Sequence, residues 1–579
     1  MWQASRRVAA GIALAACLWS GTGSADDAPR TAALAIPAET LLRIDASRLA
    51  DIVRVPAVEA LSDFASASAL FAPLYENPEA FTAREALLFL ERRLELDRDE
   101  LWERLAGGRW SFAVLPGAPP LGLIAIDALD PDLPGRILQL MDELASRSAA
   151  GTFETSVYRD FDCRRYGKLA LAIQGPRILL SGDRQILKEA VDRLQDADAT
   201  ANAPAAADEF EVHARVDLAR LRLSPEVQAG LKWPPDDLGA IAILGGWLDL
   251  FRQYDRIDVS LSQPDSRLLL DVRFTSPAGT KVQPGLEGFW APEGSEAPPL
   301  LMPTGVLYAS SWHRDYQALW EARETLIGAE RAERVTKADA DAGAQMQVVG
   351  AEFTPSDLLS QLGPEFRTVI LHSTPPYADV VPPNRLPAGV AVVSLRDESR
   401  VRTWMSPVFR ILNLILNGDQ GIISTAERHG DAELTILSLP TKPEALRRGS
   451  LDRFNFRTTY TISRGRFVIG TTPAAVKAVL DVLDAEAALP AGGLAASDSE
   501  SPLRVTDRQS FSPAELARAL NGVAEALGRS LVLVAGLTVD EAERETERLQ
   551  TLFGSLGRIE TSAGFGPDGF QYRVQWFEP

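Results

Sequence analysis

Few side chains in this sequence combine the residue type and the spacing that chemistry requires. The four histidines, His213, His313, His372 and His429, are far apart, and no two stand at the short interval by which one helix or hairpin grips a metal ion. His372 follows an expected strand and borders a Pro-rich insertion, Thr374–Pro387. If that insertion covers a groove, His372 is the imidazole placed to act there as acid or base. His313 and the preceding Trp312 stand at an expected strand-to-helix junction and complete the groove candidates: His372, His313 and Trp312. His213 reads as a strand-face residue. Asp339, Asp341 and Gly343 begin like a calcium loop, but the twelfth position of that frame is Gly350, where a bidentate Glu is needed. Asp130-Pro131-Asp132 reads as a helix cap and not a cation site.

The common hydrolase, zinc-protease and phosphate-loop runs are missing. A nucleophile and its base can come from distant segments, so an enzyme of unrecognised type remains an open reading. The sequence assigns no catalytic residue, no cofactor and no metal. The tryptophans are scattered along the chain, which points to core packing and away from a stacking platform for sugars or bases.

The 579 residues exceed what one core usually supports. With 46% hydrophobic and 24% charged residues, the composition is that of a packed protein. The formal charge of -20 repels phosphate backbones and anionic lipid. Nucleic acid is therefore an unfavourable partner, whereas a basic peptide or a basic protein patch is compatible.

The N-terminus shows the charged, apolar, small-residue order of a secretory signal: Arg6 and Arg7, then Val8–Trp19, then Gly23-Ser24-Ala25. Cleavage after Ala25 is the first expectation. Leu14-Ala15-Ala16-Cys17 offers an alternative, acylation at Cys17, which would leave a lipid anchor as the chain's link to a membrane. Once Ala25 is cleaved, Cys163 is the single cysteine left, so no intramolecular disulfide is expected.

The elements that must position these residues are repeated. Leu250-Phe251, then Arg256-Ile257-Asp258, returns as Leu552-Phe553, then Arg558-Ile559-Glu560, each time followed by strand, Pro-Asp turn and strand. Arg43-Ile44-Asp45-Ala46-Ser47-Arg48-Leu49 recurs as Arg215-Val216-Asp217-Leu218-Ala219-Arg220-Leu221, which predicts a strand, an Asp cap and a helix in both places. Adjacent strand pairs are expected at Trp110–Leu115 with Leu121–Ile126, at Leu169–Ile173 with Arg177–Ser181, and at Thr458–Ile462 with Arg466–Ile469. Helices with one apolar face follow Asp130 and Asp183, and another helix opens at Pro473, repeating the pair Ala190-Val191 as Ala478-Val479. Glu330–Gly343 carries no clear apolar face and reads as a solvated helix end or loop. Short turns between paired strands favour antiparallel sheet.

The fold expected is α+β, in two homologous halves, each mainly antiparallel sheet with helices packed on one face. The divisions are 1–25 signal peptide, 26–277 first half, 278–302 Pro/Gly-rich linker and 303–579 second half. Two apolar stretches, Leu238–Phe251 and Val408–Leu416, are shorter than the ~20 residues a bilayer span needs. They read as core, or as a groove for lipid or peptide.

Ile36-Pro37-Ala38-Glu39-Thr40-Leu41-Leu42 near the mature start and Gly465-Arg466-Phe467-Val468-Ile469-Gly470 before a helix resemble phrases of bacterial exported proteins grouped under domains of unknown function. That resemblance implies the cell envelope and no assigned reaction. Together these features predict an exported, non-enzymatic envelope protein, periplasmic or an outer-membrane lipoprotein. It would hold an envelope protein or apolar ligand between its halves. The alternatives are a carrier or chaperone for lipid or apolar peptide, and a hydrolase of unrecognised type.

Overall fold

The computed structural model describes residues 35–578 apart from 38, 72–87, 118–119, 148–153, 167–168, 199–210, 231–237, 265–266, 277–281, 349–351, 406–421, 443–445, 448–449 and 489–502. The signal segment, Cys17 and the stretch Val408–Leu416 lie outside the described residues. The chain forms two compact units. One holds the described residues up to Ser224 with Arg256–Arg273, and the other holds those of Pro225–Asp255 with Phe274–Phe577.

The first unit carries β1 (Leu42–Ser47), β2 (Arg109–Leu115), β3 (Leu121–Asp127), β4 (Glu154–Tyr158), β5 (Phe161–Tyr166), β6 (Leu169–Gln174), β7 (Arg177–Ser181), β8 (Glu211–Asp217), β9 (Arg256–Ser262) and β10 (Arg267–Thr275). Its neighbours run in the order β9-β8-β1-β2-β3-β7-β6-β5-β4, all antiparallel, and β10 pairs with β9. The second unit carries β11 (Val306–His313), β12 (Leu362–Leu371), β13 (Ala388–Leu395), β14 (Ile423–His429), β15 (Ala432–Ser438), β16 (Thr459–Ser463), β17 (Arg466–Gly470), β18 (Arg504–Phe511), β19 (Ile559–Gly566) and β20 (Gly569–Phe577). These run β20-β19-β18-β11-β12-β13-β17-β16-β15-β14, again antiparallel. Strand for strand the two orders coincide: β1 corresponds to β11, β7 to β17, and so on through the set. The α+β architecture is therefore built twice from the same plan.

Period-two alternation makes each sheet, and helices bury its apolar rows. In the first unit, Ala113, Leu123, Ala125 and Leu179 meet Leu187, Val191 and Leu194 of helix α2 (Arg184–Asp198). On the other side of the pleat, Ile126, Leu171 and Ile178 meet Leu138 of α1 (Leu133–Arg147), which starts beneath the Asp130 side chain. The second unit repeats this. Val369, Val390, Leu434 and Val468 pack on Val476, Val479 and Leu483 of α4 (Pro473–Ala488). At ~25 cal/mol per Å² of apolar surface removed from water, burial of these rows stabilises each unit.

Helix α3 (Leu238–Gln253) belongs to the second compact unit. Gly246 is there because a Cβ would sit 2.1 Å from the Phe289 ring. The repeated phrase marks equivalent places. It joins α3 to β9 and the closing helix to β19, with the same ion pair after each: Arg256–Asp258 at 2.9 Å and Arg558–Glu560 at 3.1 Å.

Two local expectations are corrected. Asp217 does cap a short helix, accepting from the Arg220 amide. Asp45 does not, because it lies inside β1 and accepts from Arg43 and Ser111; the following turn starts at Arg48 in the left-handed region, φ 50. Glu330–Gly343, read as a solvated helix end or loop, lies within a continuous helix, Ala329–Val348. Its Asp339 accepts from the Ser356 amide and hydroxyl, so the acidic run is a packing device there.

Candidate functional site

Trp312 and His313 are the last two residues of β11, so their side chains leave opposite faces. Trp312 is half-buried and stacks on Phe366, centroids 6.0 Å apart. His313 is buried, and burial pushes its pKa below the ordinary imidazole value, against an opposing pull from Asp315. His372 follows β12 at the opposite end of β11, where its amide donates to the Gly305 carbonyl. The seven steps from Val306 to His313 separate the two places by roughly 23 Å at ~3.3 Å per residue. The three groove candidates are thus not brought together.

His372 has an acidic neighbour. Its Nε2 lies 2.9 Å from the Glu515 carbonyl oxygen and 3.2 Å from Glu515 Oε2. Both atoms accept only, so Nε2 carries the proton. Glu515 sits in the first turn of α5 (Pro513–Asn521), and its other oxygen accepts from Arg518 at 2.5 Å. The contact ties the end of β12 to α5. Elsewhere, His213 meets Glu211 on an exposed strand face at 2.6 Å, and His429 meets Asp481 at 2.8 Å. Among the described residues no group of three or more His, Cys, Asp or Glu side chains could hold a metal ion. Cys163 is a free thiol, half-buried, with its pKa raised by burial.

Three features escaped sequence reasoning. The first is Arg314, buried beside β18. It forms a two-pronged pair with Asp507, at 2.8 and 3.3 Å, and lies 3.9 Å from the Phe289 ring centroid. Phe289 and Trp290 belong to an aromatic cluster with Trp247, Phe565 and Phe570 at centroid separations of 4.8 to 5.4 Å for several of its pairs. Core packing accounts for these tryptophans, although in space they are less scattered than along the chain.

The second is a small depression at the turn between β16 and β17, lined by His429, Asp431, Ser463, Arg464 and Arg466 among others. The third is the helical hairpin of α6 (Ala524–Ala535) and α7 (Val539–Ser555), which stands on α5. None of the residues of α6 is buried. Gly536, at φ 71, ends α6 in the left-handed conformation that reverses the chain, and a Thr538–Glu541 capping box starts α7. Between these signals runs Leu531-Val532-Leu533-Val534-Ala535-Gly536-Leu537-Thr538-Val539, which carries no charge. Leu533 is 84% exposed, Val534 88% and Val539 63%. The flanks are acidic: Glu525, Asp540, Glu541, Glu543, Glu545 and Glu547 stand against Arg529, Arg544 and Arg548. The readable signal was this aliphatic run between two helix signals. Leu238–Phe251 also leaves Ile243 69% and Leu244 51% exposed, so it is not wholly core. Among the described residues no helix is long and apolar enough to cross a membrane.

No family model matches the chain, and no curated protein matches it. Among solved structures, crystal form III of TP0453 aligns at 7% identity over 45% of this chain and 84% of that one, with a TM-score of 0.24. Form IV aligns at 7% identity over 46% and 86%, with a TM-score of 0.22, and form I at 8% over 45% and 83%, with a TM-score of 0.22. Likeness at this level carries no argument about function.

Proposed function

We propose that this chain is an exported, non-enzymatic cell-envelope protein that docks a partner protein through the α6–α7 tip. The observation that carries this reading is the uncharged aliphatic tip, with Leu533 and Val534 almost fully in solvent. Such side chains gain ~25 cal/mol for each Å² they bury, and the described residues do not cover them. Charge selects the kind of partner. An apolar knob on an acidic shaft, in a chain of net charge -20, fits an apolar pocket rimmed by Lys and Arg. An anionic bilayer would take the apolar residues but repel the shaft.

A photo-crosslinking side chain at Val534, used in living cells, tests this. The expected result is one discrete protein adduct, weakened by added salt and lost when Leu533→Ser is combined with the probe. In parallel, the purified protein should stay unbound when mixed with phosphatidylethanolamine–phosphatidylglycerol vesicles. Adducts to lipid alone, or flotation with the vesicles, would overturn the protein-partner reading in favour of a lipid-facing one.

A further inference from the structure

At the corresponding place in each unit an arginine opens the strand that follows a tight turn: Arg177 opens β7 and Arg466 opens β17. In the first unit Arg177 pairs in register with Asp127 of β3, and the two side chains approach to 3.8 Å. In the second unit the register partner of Arg466 on β13 is Ser394. The counter-ion has been replaced by a hydroxyl, and Ser394 Oγ is turned to the Glu365 backbone, 3.1 Å from its amide.

Several charges around Arg466 pair with one another and not with it. Arg367 takes Glu486, at 2.7 and 2.9 Å. Arg464 takes both Asp431, at 3.0 Å, and Asp484. The Arg466 guanidinium has no hydrogen-bond or ion-pair partner among the described residues. Burial pushes its pKa below the ordinary arginine value and the neighbouring Arg367 adds to this, against opposing pulls from the Glu486 and Glu365 carboxylates, neither of which forms an ion pair with it. It lines a small, open depression with His429, Asp431, Ser463, Arg464 and Asp484. Ser463, on the other flank of Arg466 in β16, is its register partner there and adds a hydroxyl. The Arg464-Gly465 turn, with φ of 52 and 70, fixes this edge.

We propose that Arg466 and Ser463 form a binding site for a single carboxylate, such as a peptide C-terminus, an acidic side chain or a small organic acid. A half-buried guanidinium without a counter-ion has its planar fork of donors free, and a carboxylate matches that fork. Asp431 and Asp484 at the rim oppose a second negative charge, so a monoanion is preferred over a phosphate dianion. This site is independent of the α6–α7 tip and stands or falls apart from it.

The test uses the full chain at about pH 8.5, where inorganic phosphate is mainly the dianion, following the chain's thermal midpoint in sodium acetate against sodium chloride at equal ionic strength, with phosphate as the dianion. Acetate should raise the midpoint saturably, by about 1–3 °C, and phosphate should not. Ser394→Asp restores the counter-ion found in the first unit. It should raise the midpoint in chloride and abolish the acetate response, and Arg466→Met should abolish that response as well. If Arg466→Met fails to fold, Ser394→Asp decides. Equal midpoints in acetate and chloride for the unaltered protein would overturn the site, as would an undiminished acetate response in Ser394→Asp. An equal response to phosphate would overturn the preference for a monoanion.

Discussion

The two units share a strand order but dispose of their arginines differently. Arg48 follows β1 and Arg314 follows β11, and their amides donate to corresponding carbonyls, Gly108 and Pro364. Arg48 turns to Asp51, three residues away and partly exposed, at 2.6 Å. Arg314 reaches Asp507 on β18, 193 residues distant, and lies over an aromatic face. At the β7 and β17 starts the contrast is reversed: the first unit supplies a buried counter-ion and the second withholds it. The lesson is that backbone topology follows from apolar alternation, which tolerates many sequences, whereas each polar pairing depends on a few residues and can be moved or dropped. Function is to be sought where the polar fittings differ.

The largest break in this comparison comes from Arg314→Met. It leaves the mostly buried Asp507 with the Thr506 hydroxyl as its remaining donor and removes the ring contact, at an expected cost of about 3 kcal/mol. Arg48→Met, at the corresponding place, should cost no more than about 1 kcal/mol, since its pair is local and partly solvated. Chemical denaturation of both variants checks the difference. Similar losses would mean that the two positions are energetically alike despite their geometry.

Next in size is Asp127→Ser, which makes the first unit resemble the second. Asp127 is 1% exposed, and removing it leaves Arg177 facing a hydroxyl, at an expected cost of about 1–3 kcal/mol. An unchanged midpoint would show that the counter-ion never mattered, and with it would go the force of the Arg466 comparison.

A smaller effect is set by pH. His313 is held neutral by burial, with Asp315, Arg314, Glu365 and Asp507 as the charges acting on it. Its folded pKa is depressed, so the folded state binds fewer protons than the unfolded one. The stability this contributes is whole above about pH 6.5, the unfolded value, and is lost as pH falls from there through the folded value. The difference in unfolding free energy between the unaltered chain and His313→Gln should therefore narrow below about pH 6.5. A difference that stays constant with pH would remove His313 as the titrating group.

Much of the fold was legible because the paired strands β2 with β3, β6 with β7 and β16 with β17 are short runs rich in apolar residues on either side of Gly- or Pro-marked turns. β4 and β14 were not legible. Each pairs on one side only among the described residues, and their residues are almost all exposed, so no apolar row announces them. The candidate site was less legible still. That Trp312 and His313 diverge while His372 lies a strand's length away depends on register, which a one-residue slip would reverse. Arg314–Asp507 is invisible for the same reason, since nothing in either residue's neighbourhood names the other.

The smallest effect is expected at the α6–α7 tip, and its smallness is the point. Leu533→Ser with Val534→Ser removes two large aliphatic side chains that touch almost nothing in the folded chain. Elsewhere in the second unit, losing such groups from beneath α4 would cost about 2–5 kcal/mol each. Here the midpoint should hold within about 0.5 kcal/mol, because side chains equally solvated in the folded and unfolded states contribute nothing to the difference between them. The same double substitution should abolish the adduct formed in cells by a probe moved to Val539. A stable protein that no longer docks would separate shape from purpose. A large stability loss would place these residues in a packed core and end the tip's claim to be a surface.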